Sequence, residues 1–289
     1  MPIRNPVGWG SDQLGHLASA VGSAVGSIHR PEEAMTAPRP AIRRIAMSDL
    51  REALAQGFDD FKVYRTDVIF LCLIYPIIGL VLSRLVVGQG RFQLLFPVAS
   101  GFALIGPLVG LGLYEMSRRR EQGEAVSWAT AFKVLESRAA GAIAVLGLVL
   151  LAVFLLWLFT AQTIFDATVG PLHPASITQF ASDVLTTGAG WTMIGAGVGI
   201  GFLFALLVFI LTVVSFPLLL DRPDVGLDMA IRTSFRAVTA NPRAMAIWGL
   251  IIAASLVLGS IPLFVGLAFV LPILAHATWH LYRKLSPRS

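Results

Sequence analysis

Apolar and charged residues along this chain are sorted into long blocks. Predominantly apolar runs occupy about 68–87, 92–115, 140–161 and 190–219, and the stretch from Ala244 to Tyr282 carries no charged residue. A helix rises 1.5 Å per residue, so roughly 20 apolar residues cross the hydrocarbon core of a bilayer. The last stretch is too long for one ordinary span, and Gly259-Ser260-Ile261-Pro262 offers a turn inside it. Cutting there gives spans five and six at about 243–259 and 262–283. The pattern predicts an all-α membrane protein with six transmembrane helices.

Three segments between the spans are amphipathic at helical spacing. The first puts Leu50, Leu54, Phe58 and Phe61 on one line, with Asp49, Glu52, Asp59 and Asp60 mainly off it. In the second, Trp128, Ala131, Phe132 and Leu135 form the line and Lys133 and Glu136 lie off it. The third sets Leu227, Ile231, Phe235 and Val238 against Asp228, Arg232 and Arg236. Such segments suit the membrane interface. Aligned on their phenylalanines, Leu54-Ala-Gln-Gly-Phe58, Trp128-Ala-Thr-Ala-Phe132 and Ile231-Arg-Thr-Ser-Phe235 stand as equivalents, each followed by a cation: Lys62, Lys133 or Arg236. A span begins shortly after each. The chain therefore reads as three repeats of an interfacial helix plus a helical pair, with Phe58, Phe132 and Phe235 as anchors to the bundle or to the acyl boundary.

Charge then orients the helices. The second span ends in Arg118, Arg119 and Arg120, which read as interfacial anchors. Of the 22 Lys and Arg residues, only Arg84 and Arg91 fall in loops assigned to the outside. This bias places both termini on the cytoplasmic side of the membrane. The loop 162–189 lies outside, and Ile177, Phe180, Val184 and Leu185 predict a short helix within it. Residues 1–40, rich in Gly, Ser, Ala and Pro, read as a disordered cytoplasmic tail, and 45–289 as a single membrane domain. His16 and His29 in the tail read as solvated, and His173 stands in the outer loop with no evident partner.

Composition narrows the function classes. The chain is 56% hydrophobic and 13% charged, with a mean hydropathy of +0.76. Its pI near 9.9 is unaccompanied by a basic, aromatic face on a soluble domain, which argues against nucleic acid as a partner. The single cysteine, Cys72, reads as a small core hydrophobe. Gly106 and Gly110 form one small-xxx-small pair, and Gly195, Gly197, Gly199 and Gly201 form two overlapping ones, all read as helix-packing positions. His276 and His280 stand one turn apart on the last span. That spacing makes them the candidates for a metal or haem contact, although two neutral histidines packed beside Trp279 and Tyr282 is the simpler reading. Glu115 is expected to pair with Arg118 one turn on. Tyr114 and Asn241 read as available polar contacts at the inner surface. No catalytic motif and no cofactor is indicated.

Gly106-Pro-Leu-Val-Gly-Leu-Gly-Leu-Tyr-Glu-Met-Ser-Arg-Arg119 and Gly57-Phe-Asp-Asp-Phe61 carry a resemblance. Over about 45–285 the chain resembles a family of bacterial integral membrane proteins defined as a domain of unknown function. Its members are often labelled cytochrome c oxidase subunit I. The catalytic subunit of that oxidase uses several intramembrane histidine ligands, whereas His276 and His280 are the only histidines in spans here. The resemblance therefore brings no catalytic residues. The repeat pattern is also similar to the membrane portion of some bacterial glycerophosphodiester phosphodiesterases, whose catalytic acids lie on a separate soluble domain. The leading expectation is a non-enzymatic scaffold or accessory component meeting anionic lipid headgroups or a membrane-protein partner. A small-solute transporter or channel is the alternative, and a redox or oxidase-associated subunit the second.

Overall fold

The computed structural model describes residues 40–287 except 73, 89, 173, 263 and 264. The expectations for the tail, with His16 and His29, and for His173 lie outside the described residues. Among the described residues the protein is helical, without strands: α1 (Met47–Cys72), α2 (Ile74–Gly88), α3 (Leu95–Glu121), α4 (Ala140–Ala167), α5 (Ile177–Thr186), α6 (Gly188–Thr212), α7 (Ser215–Asp221), α8 (Leu227–Ala240), α9 (Pro242–Ser260) and α10 (Leu267–Leu285). Among the described residues three helices are long and apolar enough to cross a membrane: α4, the α6–α7 unit over Gly188–Asp221, and α9.

The first amphipathic segment is joined directly to the apolar run behind it. Non-helical angles at Tyr64 (φ −109°, ψ 16°) bend α1 without interrupting it. The stripe α1 buries is Leu50, Ala53, Gly57 and Asp60, spaced at three and four residues. Gly57 sets how close α1 comes to α10, because a Cβ there would sit 2.5 Å from the backbone nitrogen of Ala277. Only glycine permits that approach, and it carries Asp60, one turn on, into the interior.

The second amphipathic segment is not an α-helix. Trp128–Glu136 winds as a 3-10 helix, opened by Ser127 and Thr130 capping one another. The tighter winding changes its inward line to Thr130 and Val134. In the third segment α8 buries Ala230, Thr233, Ser234 and Ala237. All three segments turn small or polar residues inward (Ala53 and Asp60, Thr130, Ala230 and Ser234) beside buried apolar ones such as Leu50, Phe61 and Val134, while Phe58, Phe132 and Phe235 are 45%, 43% and 54% exposed. None of the three phenylalanines is buried in the bundle.

The fourth apolar run is broken at Val213 and Val214. Pro217 lacks an N–H, and its ring would meet the carbonyl of Val213, four residues earlier, in a continuous helix. Ser234 of α8 bridges the break: its hydroxyl accepts from Val214 N–H at 3.2 Å and donates to the Ile210 carbonyl at 2.7 Å. The short α7 that follows is buried from Ser215 to Leu220. With Met116, Trp248, Trp279 and Tyr282 it forms the core, at the end of the bundle where the charged residues gather. The turn expected near residue 260 lies between α9 and α10, where Gly259 and Gly266 meet backbone to backbone. Helix α5 occupies the place expected of the outer-loop helix.

Of the packing glycines, Gly110 lies against Tyr114 and Ala275, and Gly201 against Trp157. A Cβ at Gly106, Gly195, Gly197 or Gly199 would meet nothing within 4 Å. At these four, side-chain space is open within the chain.

Candidate functional site

At the charged end, α1, α3 and α10 converge on one carboxylate. Asp60 is 3% exposed. Its Oδ2 accepts a hydrogen bond from Ser117 Oγ at 2.5 Å and one from His280 Nε2 at 2.9 Å, and Oδ1 pairs with Arg120. Ser117, Arg120 and Glu121 share a face of α3 because they are three and four residues apart. His276, His280 and Arg283 do the same on α10. The apolar faces of these helices pack together, and their last polar turns are drawn in with them.

The hydrogen-bond order follows from proton inventory. Ser117 has one hydroxyl proton, and it points to Asp60. Its oxygen, 2.8 Å from His276 Nδ1, accordingly accepts from that nitrogen. His276 Nε2 is left buried without a partner. Burial alone would raise the Asp60 carboxyl. The hydrogen bonds from His280 and Ser117, with the adjacent imidazoles, outweigh it and lower the pKa to about 2. Asp60 is therefore ionised at neutral pH.

Around this centre the other charges are matched across helices. Glu121 accepts from Trp279 Nε1 at 3.1 Å and pairs with Arg283 at 3.2 Å. Asp221, at the end of α7, accepts from the Tyr282 hydroxyl at 2.9 Å and lies 3.4 Å from Arg283. Lys284 reaches back to Glu52 of α1 at 2.5 Å. The expected pair between Glu115 and Arg118 forms, with two hydrogen bonds of 2.7 and 2.8 Å, and Arg119 joins it at 2.6 Å. Arg119 also holds Glu124 at 2.7 Å. Each member of the arginine run is thus engaged by an acid.

Tyr114 and Asn241 are buried rather than available. The Asn241 amide accepts from Ile45 N–H and donates to the carbonyls of Arg43 and Ala237, strapping the segment before α1 across the end of α8. Trp279 and Tyr282 do pack beside the histidines' helix face, 5.5 Å apart ring to ring. Among the described residues no three His, Cys, Asp or Glu side chains gather as metal ligands. A recess of about 540 Å³ opens at the cluster, its lining including Asp60, Ser117, Arg120, His280, Arg283 and Lys284.

Sequence reasoning picked out His276, His280 and Arg120. It missed Asp60, which it placed on the polar side of an interfacial helix, and with it Ser117 and Glu121. The available signal was the stripe Ala53, Gly57, Asp60: two small residues in phase with an acid mark the face that approaches another helix.

No curated protein and no solved structure matches the chain. Residues 95–221, from the start of α3 to the end of α7, match the family model described as "Predicted integral membrane protein (DUF2189)", so the helical chain with its apolar spans matches a membrane family of unknown function.

Proposed function

We propose that this protein is a non-enzymatic scaffold of the bacterial inner membrane, with six spans and both termini in the cytoplasm. In this reading the end of α1 together with α2 (about 68–87), α3, α4, the α6–α7 unit, α9 and α10 cross the bilayer. The first part of α1, the Trp128–Glu136 segment and α8 form a collar on the cytoplasmic side. The observation that carries the reading is the closure of the charged end upon itself: Asp60, Glu115, Glu121 and Asp221 are each met by side chains of the same end. Buried charges that satisfy one another fix how helices sit together, whereas a transport path needs polar groups that face a channel. Support for the repeat comes from the collar. Counted from the phenylalanine, α1 and α8 bury the same positions: Ala53 and Ala230, Gly57 and Ser234, Asp60 and Ala237. The outward Phe58, Phe132 and Phe235 then suit the acyl boundary, and Lys62, Lys133 and Arg236 beside them suit anionic headgroups.

Thiol labelling in a Cys72→Ser background tests the layout. Ala175→Cys is expected to react in intact cells, and Gln122→Cys and Pro287→Cys only after permeabilisation. Pro287→Cys reacting from outside overturns the even number of spans. A reduced-minus-oxidised spectrum tests the class: a haem band that disappears in His276→Ala replaces the scaffold reading with the redox one.

A further inference from the structure

The recess at the charged end has an asymmetry that the clamp does not require. Its buried carboxylates are committed: both oxygens of Asp60 and both of Glu121 are engaged, and only the exposed Asp59, held by Lys62 at 3.1 Å, keeps an oxygen without a partner among the described residues. Its cationic donors are not. Arg120 gives N–H to Asp60 and sets its guanidinium 6.0 Å from the Tyr64 ring centre. A guanidinium has five N–H groups, so most of Arg120's donors remain. Arg283 uses Nε on Glu121 and one terminal nitrogen on Asp221, which leaves its other terminal nitrogen. The Lys284 ammonium has three N–H groups and stands between Glu52 and Asp49, at 2.5 and 3.9 Å. Gln56, exposed on the same wall, adds a side-chain amide.

A floor with its carboxylates engaged and surplus, mostly cationic donors around it matches a ligand that only accepts. A tetrahedral oxyanion is such a ligand, and arginine's planar fork fits phosphate oxygens in pairs. The recess, about 540 Å³, has room for a phosphate together with the group esterified to it. We propose that this recess binds a phosphoester oxyanion, held by Arg120, Arg283 and Lys284. The inference stands on the recess itself and does not rest on the scaffold reading or on the number of spans. A lipid headgroup and a soluble phosphoester share this chemistry, and the experiment separates them.

The full chain, purified in a phosphate-free maltoside detergent, is titrated in one arm with glycerol 3-phosphate and in another with phosphatidylglycerol in mixed micelles. Calorimetry and melting temperature are read at constant ionic strength set with chloride. Saturable binding with a rise in melting temperature is expected in at least one arm. Binding of glycerol 3-phosphate alone identifies a soluble phosphoester, and binding of phosphatidylglycerol alone a headgroup. Arg283→Gln and Lys284→Gln are each expected to weaken binding at least tenfold, and Gln56→Ala by less. Because Lys284 is the more peripheral of the two cations, Lys284→Gln keeps the test decisive if Arg283→Gln does not fold. Absence of saturable binding in both arms, or affinity unchanged in Lys284→Gln, overturns the proposal.

Discussion

The Asp60 carboxylate and the His280 imidazole, 220 positions apart in the chain, meet at 2.9 Å at the floor of the recess. This contact fastens the first described helix to the last. It also sets a sharp contrast between neighbours, since Asp59, the adjacent residue, is exposed and pairs only with Lys62. Asp60→Asn preserves shape but removes the charge facing Arg120, and one amide oxygen cannot serve three donors. Breaking a buried pair from one side costs roughly 3–5 kcal/mol. Asp59→Asn is expected to cost at most about 0.5 kcal/mol, as surface changes do. Thermal unfolding in detergent checks both, and equal melting temperatures for the two variants would contradict the buried clamp.

The same carboxylate makes acid stability predictable in sign. Its pKa falls from the ordinary 3.8 to about 2 on folding. A group depressed in the folded state adds stability above its unfolded value and loses it as pH falls through the folded one. The contribution is therefore complete above about pH 4 and disappears between about pH 4 and 2, amounting to roughly 2 kcal/mol. Denaturation of wild type and Asp60→Asn at stepped pH checks this. The gap between them is expected to shrink as pH falls from about 4 to 2.

Much of the architecture was legible because hydrocarbon and water impose coarse demands. The apolar runs, the turn near residue 260 and the outer-loop helix all come from composition over many residues. The charged end was harder to read. Asp60 looks solvated beside Asp59, and the decisive fact is that Gly57 lets Ala277 approach, a relationship between positions far apart in sequence. The phenylalanines misled in the opposite direction. In water a large apolar side chain is assigned to the core, but beside a bilayer it is equally at home facing outward, so Phe58 drew the helix line one step away from the stripe actually buried. The break before α7 departs from the single span expected over about 190–219; Pro217 accounts for it, and its repair by Ser234 was hidden because a serine on an amphipathic helix has no visible partner.

That repair gives a third prediction. Ser234→Ala leaves the Val214 N–H and the Ile210 carbonyl with neither partner nor water, since Ser234 and Val214 are fully buried. An unsatisfied buried group costs about 1–3 kcal/mol. Thr239→Ala on the same helix removes only an exposed hydroxyl bonded to the preceding turn, so it serves as control. The melting temperature of Ser234→Ala in detergent is expected to fall, while that of Thr239→Ala stays near wild type. Proteolysis of folded protein near Val213 is expected to speed up in the first variant alone.

The phenylalanines of α1 provide the last test. Phe58 and Phe61 lie on neighbouring faces of one helix, yet Phe61 is 8% exposed and stacks edge-on to Phe269 at 6.2 Å between ring centres. Phe58 is half exposed, with the Lys62 ammonium 4.5 Å over its ring. Phe61→Ala opens a packed site and is expected to cost roughly 3–5 kcal/mol in any detergent. Phe58→Ala gives up only part of the 1.5–3 kcal/mol or so that full burial of a phenylalanine contributes, so its detergent melting temperature is expected to move little. In a bilayer the ranking changes, because hydrocarbon covers an outward ring and its removal forfeits that burial. Phe58→Ala, Phe132→Ala and Phe235→Ala are therefore each expected to destabilise the protein more in lipid nanodiscs than in detergent, by similar amounts. Phe61→Ala is expected to cost the same in both media. A Phe132→Ala indifferent to the medium, with the other two sensitive, would separate the 3-10 segment from α1 and α8 and end their equivalence.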